Sequence, residues 1–91
     1  MKYLISYDLH GVLSDVSNDV RNDLEECGYI QILGSTLLYE IPGVESVKSV
    51  YNKIYEIIRK CLQNSRGASF DLVVGNCPDL YCSCFDRFNR H

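Results

Sequence analysis

Apolar residues recur along this chain in two rhythms, every second position and every third to fourth, and segments of the two kinds alternate with little linker between them. Over Lys2 to Asp8 the period is two. Tyr3, Ile5 and Tyr7 then share one face of a strand, and Leu4, Ser6 and Asp8 share the other. A loop carrying Gly11 and Ser14 leads into a helix whose Val16, Val20, Leu24 and Cys27 form one apolar stripe. Asp15 and Asp19 suit the positive end of that helix's dipole, and Gly28 is placed to end it.

Tyr29 to Leu33 reads as a second strand and Ser35 to Ile41 as a third, with Gly34 between them as a tight turn or bulge. Pro42-Gly43 stops the pairing and opens a second helix. Its apolar positions Val47, Val50, Tyr51, Ile54, Ile57, Ile58, Cys61 and Leu62 keep helical spacing, and Asn64 to Gly67 closes it. Phe70, Leu72 and Val74 alternate as a fourth strand. Beyond Gly75, a C-terminal extension over 76–91 contains Tyr81 to Phe85, which has the pattern of a short fifth strand.

Strand, helix, strand, strand, helix, strand is the order of an α+β, ferredoxin-like βαββαβ fold: an antiparallel four-stranded sheet with both helices on one face. The helix-free face keeps Leu4 and its neighbours, so a second copy of the chain is its expected cover. No internal repeat, low-complexity tract or linker interrupts the pattern, and 1–91 reads as a single domain. A chain of 91 residues with 46% hydrophobic content suits that size, and dimerisation is a natural source of extra stability.

Charge changes the picture in one respect. The formal net charge of -3 excludes a generally basic surface, so any grip on nucleic acid must come from a local patch or from bound metal. No apolar run approaches the roughly 20 residues that span a bilayer. The amino terminus opens a strand pattern instead of a signal peptide, so the expectation is a cytoplasmic protein that does not enter the membrane, with reduced thiols.

Candidate chemistry centres on Asp8, a carboxylate at the end of the first strand beside the turn-like His10-Gly11. Such a position holds a metal ion or an attacking water on a rigid edge; it is equally a common way to start a turn. His10 titrates near neutrality and is placed two residues on, as a general acid or base or as a solvated loop histidine. Tyr3, Tyr7, Tyr29 and Tyr39 read as packing residues first and as base-stacking platforms second. Cys27 and Cys61 fall on apolar helical positions as small buried hydrophobes. Cys77, Cys82 and Cys84, followed by His91, are zinc-like in residue type but poorly spaced for a zinc site. Lys48, Asn52, Glu56 and Lys60 mark the exposed side of the second helix, a solubility face of mixed sign.

The opening Lys2-Tyr3-Leu4-Ile5-Ser6-Tyr7-Asp8-Leu9, the element order, and Gly34-Ser35-Thr36-Leu37-Leu38-Tyr39-Glu40 resemble the small CRISPR-associated "Cas two" proteins and their relatives, among them virulence-associated protein D. The likeness covers about the first three quarters of the chain in topology. It implies a symmetric homodimer whose fifth strand crosses to the partner sheet, and several members of that family are described as magnesium-dependent nucleases. The family's proposed metal ligand is an aspartate ending the first strand, which Asp8 matches; Ser35 matches a small hydroxyl residue opening the third strand. One departure is plain. Family members often carry a basic cluster soon after the aspartate, whereas Leu9-His10-Gly11-Val12-Leu13-Ser14-Asp15 has no Lys or Arg.

The resulting expectation is a magnesium-dependent endonuclease, specifically an endoribonuclease acting on RNA or, failing that, DNA. Asp8 from each copy would be the ligand, with His10 or Ser35 assisting. The alternative is a noncatalytic dimeric adaptor or antitoxin-like module that binds a protein partner, with Asp8 capping a turn.

Overall fold

The computed structural model describes residues 1–33 and 36–76. The elements are β1 (Lys2–His10), α1 (Ser14–Glu26), β2 (Ile30–Leu33), β3 (Thr36–Glu40), α2 (Val47–Leu62) and β4 (Ser69–Asn76). The strands form one sheet in the order β2-β3-β1-β4, every neighbouring pair antiparallel. This is the ferredoxin-like arrangement that the period changes predict. Ser35, the fifth-strand segment Tyr81 to Phe85, and the Cys77, Cys82, Cys84 and His91 group lie outside the described residues.

One face of the sheet makes the core. Tyr3, Ile5 and Tyr7 of β1 are buried with Leu37 of β3, Val20 and Leu24 of α1, and Val50, Ile54, Ile58 and Leu62 of α2 in a continuous apolar cluster. Since both helices contribute to that cluster, both cover the same face. The polar atoms it takes in are satisfied. The Tyr3 hydroxyl donates to the Glu45 carbonyl and accepts from the Glu45 N–H, which ties β1 to the segment entering α2. Tyr29 packs 4.4 Å, centroid to centroid, from Tyr39. All four tyrosines weighed as stacking platforms are packing residues here: Tyr3, Tyr7 and Tyr29 are buried, and Tyr39 is half-buried against the same cluster.

Three details differ from the periodicity reading, each with a local cause. β1 runs two residues beyond Asp8, because β4 is long enough to pair with it through His10. α2 starts at Val47 and not at Pro42-Gly43, because the Ser46 hydroxyl accepts from the Ser49 N–H and caps it there. Among the described residues β3 covers Thr36–Glu40, and the expected start at Ser35 lies outside them. Cys27 is exposed instead of buried, since α1 ends at Glu26 and Gly28, at φ 94°, turns the chain away. Cys61 is half-buried, and its thiol donates to the Asp23 carboxylate at 3.2 Å. Burial first, then that hydrogen bond, push the Cys61 thiol up to about 11, so it remains a thiol at neutral pH.

Gly11 sets where β1 stops. At φ 67° it occupies the left-handed region, and a Cβ there would stand 3.1 Å from the Gly67 carbonyl oxygen. The close passage of these two loops fixes the strand end immediately after His10. Among the described residues no helix is long and apolar enough to cross a membrane.

Candidate metal centre

The helix-free face of the sheet carries the chemistry. Alternation sends Leu4, Ser6, Asp8 and His10 of β1 to that face, and antiparallel register sets Gly75, Val73, Asp71 and Ser69 of β4 directly opposite them. Asp8 and Asp71 are therefore cross-strand partners. His10 and Asp71 are diagonal neighbours, a separation that long side chains bridge on a pleated sheet.

The side chains close that gap. His10 Nε2 lies 2.9 Å from Asp71 Oδ2 and 3.7 Å from Asp8 Oδ2. One ligand atom from each of the three lies within 4.8 Å of those of the other two. All three are open to solvent, with 72% of the Asp8 side chain and 79% of the Asp71 side chain exposed, so a cation or a large substrate reaches them without any rearrangement. The hydrogen bond to Asp71 raises the His10 pKa above its ordinary value of 6.5; desolvation opposes it, and the negative charges of Asp8 and Asp71 add to the rise. Protonated, His10 donates from Nε2 to Asp71; unprotonated at Nε2, it offers a lone pair at the same point.

Two like charges directly opposite one another on an antiparallel pair repel. Among the described residues, His10 is the sole ion-pair partner of either carboxylate. The cluster is thus a small concentration of negative charge with one titratable nitrogen at its centre. Two carboxylates and an imidazole fit a divalent cation in donor type, and three protein ligands leave positions for water or substrate.

The sequence reading named Asp8 and His10 as separate candidates, and the structure brings them together. It missed Asp71. The signal was available: Phe70, Leu72 and Val74 alternate inward, which places Asp71 on the outer face with Asp8. What alternation alone lacks is the β1–β4 register, the property that makes the two aspartates partners. His10 was read as a loop residue because the first strand was ended at Asp8; on a strand it shares Asp8's face instead of turning away.

The rest of the open face mixes apolar residues with polar ones, Lys2 lying opposite Glu40 and Ser6 opposite Thr36. Leu4 lies opposite Leu38, Ile30 also pairs with Leu38, and Val73 lies opposite Ser6. Ile30 is 62% exposed and Val73 67%. On the other, helix-covered side of β4, Tyr55, Arg59, Ala68 and Phe70 line a cleft of about 380 Å³ that Ser69, the cross-strand partner of His10, also borders. On α2 the residues expected to face solvent do so: Lys48, Asn52, Glu56 and Lys60 are exposed. Arg59 pairs with Glu56 at 2.8 Å, and Lys53 pairs with Glu45.

The chain matches no protein-family model, no curated protein and no solved structure at a significant level.

Proposed function

We propose that this protein is a divalent-metal-dependent endonuclease, acting on single-stranded RNA as a homodimer, with the Asp8, His10 and Asp71 cluster as its centre. The observation that carries this reading is the convergence of Asp8, His10 and Asp71 on the open sheet face, with 2.9 and 3.7 Å from the imidazole to the two carboxylates. The resemblance of the first strand and its terminal Asp8 to the "Cas two" proteins supports the same chemistry.

A bound divalent cation supplies charge neutralisation at a phosphodiester and acidifies a coordinated water toward neutrality. Asp8 and Asp71 bring the carboxylate oxygens that such a cation needs, held on two paired strands of the sheet. The chain's acidic balance makes metal the more plausible source of phosphate attraction than lysine or arginine. A flexible single strand suits a second feature on the helix side of the edge strand β4, where Tyr55 and Phe70, with ring centroids 5.2 Å apart, offer apolar surface to an unpaired base; a strand reaching both it and the cluster would pass over the β4 edge. Dimerisation is supported by the Leu4, Leu38, Ile30 and Val73 surface, which a second copy would remove from water.

The second reading, a noncatalytic binding module recruiting a protein partner, is favoured by that same apolar surface and by the lack of Lys or Arg over Leu9 to Asp15. Cleavage of labelled single-stranded RNA, double-stranded RNA and duplex DNA, with Mg²⁺ and with Mn²⁺, separates the two. Wild type should cut the single-stranded substrate, and Asp8→Asn purified identically should not, with its melting temperature unchanged. Equal cleavage by the variant removes Asp8 from the centre; inactivity of both proteins leaves the binding-module reading.

A further inference from the structure

We infer that the Asp8, His10 and Asp71 cluster takes a first-row transition-metal dication, in the series from Mn²⁺ to Zn²⁺, in preference to Mg²⁺, and that His10 is the residue that makes the choice. The inference rests on reading the cluster as a metal centre and names the class of ion it holds.

The three donor atoms lie within 4.8 Å of one another, near the spacing of a coordination shell. With metal–ligand bonds of about 2.1 Å, neighbouring donors in octahedral or tetrahedral shells stand roughly 3.0 to 3.5 Å apart. His10 Nε2 stands 2.9 Å from one carboxylate oxygen and 3.7 Å from the other, close enough to that spacing for side-chain rotation alone to supply the rest. Energetics point to a cation independently of the distances. Placing Asp8 directly opposite Asp71 sets like charges on adjacent strands, and among the described residues no lysine or arginine pairs with either. A divalent ion removes that repulsion.

Donor chemistry then decides which ion. Mg²⁺ demands oxygen ligands and gives up its waters reluctantly, so a nitrogen at the centre of the cluster is of little use to it. Imidazole is a good ligand for Fe²⁺, Co²⁺, Ni²⁺ and Zn²⁺, and carboxylates accept the same ions. His10 Nε2 and the Asp71 oxygen, 2.9 Å apart, face one another across the place an ion would take. His10 is therefore a ligand, and the general acid or base role expected of it from sequence gives way to this one.

Competition between Co²⁺ and Mg²⁺ on the full chain tests this, with binding followed by calorimetry and by the visible and near-ultraviolet absorption of the Co²⁺ ion. Wild type should hold Co²⁺ against about a hundredfold excess of Mg²⁺ without a thiolate-to-cobalt band, and His10→Ala should lose about tenfold or more in Co²⁺ affinity while Mg²⁺ affinity is little changed. Asp71→Asn should weaken both ions alike. Displacement of Co²⁺ from wild type by that excess of Mg²⁺, an unaltered preference in His10→Ala, or a thiolate band would overturn the inference. Selective Co²⁺ binding without RNA cleavage would uphold it while refuting the nuclease reading.

Discussion

The two faces of β1 are built from alternate residues of one nine-residue strand, and they do opposite things. Tyr3, Ile5 and Tyr7 disappear under both helices, and the one polar atom whose partner is seen there, the Tyr3 hydroxyl, is hydrogen-bonded to Glu45. Leu4, Ser6, Asp8 and His10 face away from the helices, next to an equally bare row on β4. On the inner face apolar area decides everything, because each buried side chain adds transfer energy and packing contact. On the outer face little stability is at stake within one copy of the chain, and side chains are free to be placed for chemistry. The teaching of the contrast is that a one-residue shift in β1 would exchange core for site, so the hydrophobic pattern that fixes the core also fixes where Asp8 and His10 point.

The sharpest way to break this contrast is to truncate the two faces in parallel. Ile5→Ala, at a fully buried position, should cost about 2 to 5 kcal/mol, whereas Ser6→Ala, one residue away, should stay within about 0.5 kcal/mol. Urea unfolding of both variants reads the difference, and equal losses would mean that Ser6 is as structural as Ile5.

A smaller effect is expected at the strand end that holds both faces in place. Gly11→Ala puts a Cβ into a left-handed residue 3.1 Å from the Gly67 carbonyl, which should destabilise by about 1 to 2 kcal/mol. The same change should disturb the His10 resonances before those of Tyr3 at the other end of the strand. A neutral substitution would show that the Gly11–Gly67 approach is slack.

The smallest effect belongs to His10. Its pKa is raised in the folded chain, so the His10–Asp71 interaction favours folding in full below the ordinary value of 6.5 and fades as pH rises through the higher folded-state value. With every partner exposed, solvent screens it, and melting temperature should hardly respond. An NMR titration of the imidazole is the sensitive readout. Its midpoint should lie above 6.5 in wild type and fall in Asp71→Asn, because the first cause of the shift is that hydrogen bond. A midpoint indifferent to Asp71 would separate the two side chains in solution.

Much of this was legible in sequence, for reasons that the contrast makes clear. Period two over Lys2 to Asp8 and period 3.6 over Val47 to Leu62 each follow from burial of one face, so the element types and the ferredoxin-like order could be read directly. Asp8 was legible as an outward carboxylate for the same reason. Asp71 was not, because its meaning comes from strand register across 63 residues, the difference between the partners Asp8 and Asp71, and no local pattern encodes that. Cys27 was misread because helical spacing persists one residue past the helix end, where Gly28 has already turned the chain. The length of β1 was underestimated because His10-Gly11 looks like a turn, while the turn itself begins only at Gly11.

The central claim is that the outer face holds a divalent ion at Asp8, His10 and Asp71. Paramagnetic broadening of the protein's amide and imidazole resonances by substoichiometric Mn²⁺ tests it most directly, since the effect falls steeply with distance from the ion. The account predicts that Asp8, His10, Ser69 and Asp71 broaden first, that Tyr3 and the Ser46 end of α2 stay sharp, and that Asp8→Asn removes the effect. Broadening spread evenly over the acidic surface, or unchanged in Asp8→Asn, would contradict it.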